Sequence, residues 1–239
     1  MIGLEKERAA PVFSAYVANL GKYNENDLIQ EELRFPTTTE EVQGLLKRIG
    51  VDGVRYESIL ITEFSSSVPG LTKNLGEYES IDELNHLAHV LSELSPDEWE
   101  KFMAVAGATD RADSAAGMIN LAQNLDCYEV YPDIQDEESL GRYYLESLPI
   151  PAEIRGYVDY EQYGRDAIIN EDGTLTPEGY VLYGGDFKEY YHGEEDIPAE
   201  HKVFSYPQLS IREQMAAYKE VADKSITEKK PPGLGHDDR

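Results

Sequence analysis

The chain has 239 residues and carries 47 Asp and Glu against 21 Lys and Arg, a formal charge of −26, with 41% hydrophobic residues. That apolar fraction can build a packed core and excludes wholesale disorder. Self-repulsion at such a charge costs stability, so the acids call for a reason: plain solubility, or a surface that repels nucleic acid and anionic membrane and attracts basic partners. Cys127 is the sole cysteine, which excludes an intrachain disulfide and a cysteine metal cluster and points to a reducing setting. Met1 to Arg8 mixes both charge signs with no apolar signal core. No apolar run approaches the roughly 20 residues of a membrane helix. The expectation is a soluble, cytoplasmic protein that binds neither membrane nor nucleic acid.

In chain order, a tail (1–13) precedes a strand from Ala15 to Leu20, the polar turn Gly21-Lys22-Tyr23-Asn24, and a second strand from Asp27 to Phe35. Thr38 followed by Glu41 forms a capping box. The helix it opens has Val42, Leu45, Leu46 and Ile49 as its apolar stripe and ends at Gly50. Val54 to Phe64 supplies a third strand, so 14–68 reads as a β-β-α-β unit. After the loop Ser65 to Gly70 the pattern turns helical. Ser80-Ile81-Asp82-Glu83 and Ser95-Pro96-Asp97-Glu98 are two capping boxes, the second with Pro96 at the first helical position, where its missing N–H costs nothing. With further helices at 110–124 and 136–148, residues 72–149 read as a compact four-helix bundle. A short helix through Tyr163 and a β-hairpin from Ala167 to Tyr183, turning at Asp172-Gly173, make a unit at 150–185. The acidic, tyrosine-rich extension 186–239 holds one helix (Ser210 to Asp223, with Ile211, Met215, Tyr218 and Val221 at helical spacing). Its end, Lys229 to Arg239, reads as disordered. The fold class expected is α+β, with three small units in a row.

Candidate chemistry is sparse. Asp159 and Glu161, flanked by Tyr157 and Tyr160, could be the carboxylate pair of a glycosidase, but in so acidic a chain they read first as a solvated face. Glu83, His86 and His89 lie at i, i+3 and i+6 on one helix. A di-iron bundle needs a second Glu-x-x-His pair, which His192, His201 and His236 do not supply, so no metal and no cofactor is expected. Gly184-Gly185 and Gly233-Leu234-Gly235 lack the strand-then-helix context of phosphate loops. The expectation is a protein without a catalytic site.

The charge distribution is the strongest signal. Asn74 to Glu100 holds eight acids (Glu77, Glu79, Asp82, Glu83, Glu93, Asp97, Glu98, Glu100) and no Lys or Arg. Asp126 to Glu146 holds seven (Asp126, Glu129, Asp133, Asp136, Glu137, Glu138, Glu146) against Arg142 alone. Acids placed only for solubility would be mixed more evenly with Lys. B-DNA presents one phosphate charge per about 1.7 Å of axis. Two copies of the chain carry the charge of about 26 base pairs, or roughly 88 Å of duplex. A single globule of about 18 Å radius of gyration could not display charge over that length, so mimicry of DNA would need an elongated homodimer. Tyr143, Tyr144, Leu148, Tyr157 and Tyr160 are the candidate subunit contact, since a tyrosine ring buries area while its hydroxyl keeps a polar partner.

Three segments resemble the ArdA antirestriction family: Tyr16-Val17-Ala18-Asn19-Leu20-Gly21-Lys22-Tyr23-Asn24, Phe35-Pro36-Thr37-Thr38-Thr39-Glu40-Glu41-Val42, and Val158-Asp159-Tyr160-Glu161-Gln162-Tyr163-Gly164-Arg165-Asp166 with the hairpin end Gly179-Tyr180-Val181. They stand in the family's order and bracket 14–185. The resemblance implies an elongated, three-domain homodimer that imitates bent duplex DNA. It would occupy the DNA groove of type I restriction-modification enzymes, at their methyltransferase and specificity subunits, and serve mobile elements by protecting incoming DNA. It places the family's antirestriction motif around Tyr143 to Tyr160. A carboxylate array needs no base-specific contact, so one inhibitor could serve against enzymes of differing sequence specificity. The competing readings are an acidic module for another basic partner, such as a histone-like protein or a CRISPR nuclease, and an enzyme acting on a small molecule. Competition by duplex DNA separates the first reading from the enzyme, and a panel of partners separates it from the other module.

Overall fold

A computed structural model describes residues 11–146 and 148–228 and shows an α+β fold with two small antiparallel sheets. In the first sheet, β1 (Phe13–Asn19) runs between β2 (Gln30–Phe35) and β3 (Ile59–Ser65). As the middle strand, β1 is buried along almost its whole length. Its pairing with β3 shifts between Tyr16 and Val17, which face Glu63 and Ile61. The intervening Thr62 hydroxyl donates to the Tyr16 carbonyl at 3.2 Å. The expected polar turn is instead a single helical turn, α1 (Leu20–Asn24), because the Asn19 side chain accepts from the Lys22 N–H and caps it. Helix α2 (Thr39–Ile49) begins at Thr38 and ends at Gly50, whose φ of 79° suits a residue without Cβ. Its stripe of Val42, Leu45, Leu46 and Ile49 is buried.

Helices α3 (Ile81–Glu93), α4 (Pro96–Ala108) and α5 (Ala115–Ala122) follow. The Ser95–Glu98 capping box forms in full, with Pro96 in the first turn. At Ser80 no side-chain cap forms, and Asp82 and Glu83 turn to other partners. The expected four-helix bundle is three helices. The fourth, α6 (Glu137–Glu146), packs on α8 (Tyr160–Glu171) instead. Two glycines permit that approach: a Cβ on Gly141 would strike the Tyr160 carbonyl, and one on Gly164 the Glu137 carbonyl.

The second sheet contains β4 (Tyr128–Tyr131), a strand the sequence pattern did not reveal, paired with β6 (Gly179–Tyr183), which also pairs with β5 (Thr174–Thr176). Ala167 to Glu171 belongs to α8 rather than to a strand, and the hairpin turns at Pro177-Glu178. Asp172, in the left-handed conformation, ends the helix. A short α7 (Ala152–Arg155) precedes α8, and α9 (Ile211–Glu228) closes the described chain. The expectation of a disordered end, 229–239, lies outside the described residues.

One apolar core runs from Phe13 and Phe35 through Leu45, Leu87 and Phe102 to Val181, and it includes Tyr191, Ile197 and Val203. The first part of the extension is therefore an integral layer of the fold. A smaller core of Ile134, Leu140 and Tyr180, edged by Tyr144, Ile168 and Leu175, lies between α6, α8 and the second sheet.

Candidate functional site

Thirteen of the seventeen singled-out carboxylates are exposed: Glu77, Glu93, Asp97, Glu98, Glu100, Asp126, Glu129, Asp133, Asp136, Glu138, Glu146, Asp159 and Glu161. Glu79, Glu83 and Glu137 are half-buried, and Asp82 is buried. Among the described residues, only Glu138 and Glu161 of this set form ion pairs, with Arg142 at 2.5 Å and Arg165 at 2.6 Å, each one helical turn away. Several others have local duties. Glu98 accepts from the Ser95 N–H and hydroxyl at 2.9 and 2.7 Å, which holds its pKa below the ordinary carboxylate value. Asp136 accepts from the Ser139 N–H at 2.8 Å and is lowered for the same reason. The Tyr131 hydroxyl donates to Glu129 at 2.7 Å, a bond that helps push the tyrosine up to about 12.

Asp82 is not a surface carboxylate. One of its oxygens accepts from the backbone N–H of Val203 and of Phe204, both at 2.6 Å. Glu83 accepts from the Tyr191 hydroxyl at 2.8 Å; burial and that bond raise the tyrosine pKa. These two acids hold the segment 187–206 (the strap) against α3. Three asparagines do the same work. Asn85 donates to the His201 carbonyl at 2.9 Å. Asn120 accepts from the Tyr190 and Tyr191 N–H groups at 2.8 and 2.9 Å and donates to the Tyr191 carbonyl at 2.7 Å. Asn124 accepts from Lys188 N–H at 2.9 Å and donates to its carbonyl at 2.8 Å. Asn120 and Asn124 each supply the donor and acceptor that a neighbouring strand would offer, while the Asn85 carbonyl oxygen accepts from the Thr37 N–H at 2.7 Å.

The strap also brings His201 to His86 and His89, a meeting the spacing on α3 could not show. His86 and His201 share a hydrogen bond between their Nδ1 atoms at 2.9 Å, and the His89 and His201 rings stack at 4.1 Å. Burial and the neighbouring imidazoles lower the pKa of both His86 and His89. Among the described residues no group of three His, Cys, Asp or Glu is arranged to hold a metal ion. Asp159 and Glu161 do not meet as an acid and base. Asp159 caps α8, accepting from the Gln162 N–H at 2.9 Å, and Glu161 is paired with Arg165.

The aromatic residues around α6 divide in two. Tyr157, 89% exposed, with Tyr143 and Leu148, presents apolar surface to solvent. Tyr144 is half-buried and donates to Glu171 at 2.7 Å. The Tyr160 ring lies under the Arg142 guanidinium, 4.5 Å from its centroid. An open groove between α6, α7 and the start of α8 is lined by Arg142, Glu146, Arg155, Tyr157 and Asp159.

A family model described as "Antirestriction protein (ArdA)" matches residues 15–182. The chain belongs to the ArdA antirestriction family. That assignment gives the exposed acids an antirestriction setting, and the match covers all three segments whose order suggested it. No curated protein matches the chain. In this ArdA protein the strap and α9 lie beyond the matched span, so the layer that Asp82, Glu83 and the asparagines secure is additional to the family region. Sequence reasoning missed those asparagines. The available signal was a polar amide on a buried helical face, at Asn85 in α3 and at Asn120 with Asn124 one turn on. No helix of the described residues is long and apolar enough to cross a membrane.

Proposed function

We propose that this ArdA protein blocks type I restriction-modification enzymes by occupying their DNA-binding groove with its exposed carboxylates, without catalysing a reaction. The observation that carries the reading is the state of those acids in a member of an antirestriction family. Thirteen face solvent, and among the described residues Arg ion pairs reach only two of them. Lys and Arg that line a DNA groove bind phosphate by charge and release counterions; a fixed set of carboxylates offers them the same charge with no cleavable or methylatable base.

The arrangement proposed is three units in a row, 14–68, 72–149 and 150–185, the last two joined by α6 on α8 and β4 on β6, in an elongated homodimer with Tyr143, Leu148 and Tyr157 as subunit contact. Tyr144 and Tyr160, already engaged within the chain, would support that contact from behind. The partners are the methyltransferase and specificity subunits, and the place of action is the cytoplasm, where a mobile element's incoming DNA meets the host enzyme. The test is cleavage of an unmethylated plasmid by a type I enzyme with increasing amounts of the protein. Cleavage should stop near stoichiometric protein and recover as the cleavable plasmid itself is raised to excess, as for a competitor at the DNA groove. Cleavage that continues at saturation would refute the reading.

A further inference from the structure

A groove of about 610 Å³ lies among the exposed carboxylates of α4. Its floor is apolar, made by Val68, Trp99, Met103 and Val130. Trp99 and Met103 stand one turn apart on α4, a spacing that sets two side chains next to each other. At the margin are the exposed acids Asp97, Glu100 and Glu178. Among the described residues that line the groove Lys101 is the single cation, so three carboxylates against one ammonium leave a net −2. The groove is continuous with the carboxylate array: Asp97 and Glu100 belong to both, and the array's Glu129 and Asp133 adjoin the lining residues Val130 and Pro132 in the chain.

We propose that this groove receives an apolar side chain of the restriction enzyme that is flanked by Lys or Arg, with the apolar side chain on the Trp99 floor and its basic neighbours on Asp97, Glu100 and Glu178. The inference rests on the function proposed above and names what the partner carries at this place besides charge. The acidic margin selects a basic segment, and the floor selects an apolar group within it. Basic side chains alone would leave the floor against water, and an apolar segment alone would strip water from three carboxylates and give them no partner, which costs free energy. Proteins that deform duplex DNA carry the combination: an apolar side chain enters between base steps while neighbouring Lys and Arg hold phosphates. An array of carboxylates by itself has no counterpart for the inserted side chain, and the Trp99 groove supplies one. An apolar anchor seated in a pocket within a polar rim is also where binding energy concentrates in protein interfaces. Lys101 opposes the basic flanks, so loss of its charge should tighten binding.

Binding of the full chain to a DNA-free type I methyltransferase is measured at about 0.1 M salt and again at about 0.3 M, where exposed charge pairs are screened further. Trp99→Ala should weaken binding about tenfold at both salts, and Trp99→Phe should recover most of that loss. Asp97→Asn, Glu100→Gln and Glu178→Gln together should weaken it mainly at the lower salt, and Lys101→Gln should tighten it. Trp99 is the only tryptophan, so 5-hydroxytryptophan incorporated there is excited apart from the enzyme's own tryptophans. Acrylamide should quench it in the free chain and much less in the complex. A wild type that does not bind overturns this inference and the proposed function together. A wild type that binds, with Trp99→Ala binding equally well or with quenching unchanged in the complex, overturns the inference alone. A Trp99→Ala loss that vanishes at the higher salt, or binding weakened by Lys101→Gln, overturns it as well.

Discussion

Helices α3 and α4 both open on a pair of acids after a serine, Ser80 before Asp82-Glu83 and Ser95 before Asp97-Glu98, and the two pairs meet opposite fates. In α3 both turn inward: Asp82 is buried beneath the backbone of Val203 and Phe204, and Glu83 holds the Tyr191 hydroxyl. In α4 both face solvent, and Glu98 completes the capping box. The strap makes the difference. It lies over the start of α3 and supplies unsatisfied N–H groups, which a carboxylate must meet if they are to be buried. Identical residue types in a similar local pattern thus secure the fold in one helix and remain available to a partner in the next.

The largest expected effect comes from breaking the inward pair. Asp82→Ala leaves two buried N–H groups unmet, and hydrogen bonds to a charged group are each worth about 1.5–3 kcal/mol. Urea denaturation should show a loss of roughly 3–5 kcal/mol, whereas a loss under about 1 kcal/mol would mean that water replaces Asp82 without cost. The outward acids should behave inversely. Asp97→Asn, Glu98→Gln and Glu100→Gln together should change stability by less than about 1 kcal/mol, since Gln also completes a capping box. The same triple change should weaken binding to a type I methyltransferase about tenfold, a loss of roughly 1.4 kcal/mol, and more than any of the three alone. Tyr191→Phe removes only the Glu83 bond and should cost about 1–2 kcal/mol, measured in the same urea series.

The smallest effect concerns pH. Burial and neighbouring imidazoles hold His86 and His89 below the ordinary histidine value of 6.5, so on acidification the unfolded chain takes up protons first. Their contribution to stability is complete above about pH 6.5 and is lost as the pH falls through the lowered folded values. His86→Gln should flatten that dependence in thermal melts between pH 5 and 8. An unchanged slope would assign it to other groups.

What was legible in the sequence was local. Thr38, Gly50 and the stripe of α2, and the Ser95 box of α4, combine strong end signals with 3.6-residue periodicity, and they stand where expected. What was hidden depended on distant partners. Strand β4 is four residues long and exists through β6, some fifty residues on. Ile168 and Ile169 suggest a strand by β-branching, yet Gly164 and Gly141 let α8 press against α6, and packing outweighs that propensity. Residues 187–206 lack periodicity because asparagine and aspartate side chains, rather than a regular ladder, satisfy their backbone. The acid runs were visible as composition, but which acids turn inward was not, because the strap's route over α3 leaves no trace in the spacing of Asp82 and Glu83.

Displacement of DNA tests the central claim most directly. With a labelled duplex bound to a type I methyltransferase, titration of the protein should release the duplex completely. The concentration required should rise steadily with ionic strength, because exposed charge pairs are screened. A complex that keeps its duplex at saturating protein and low salt would contradict the account.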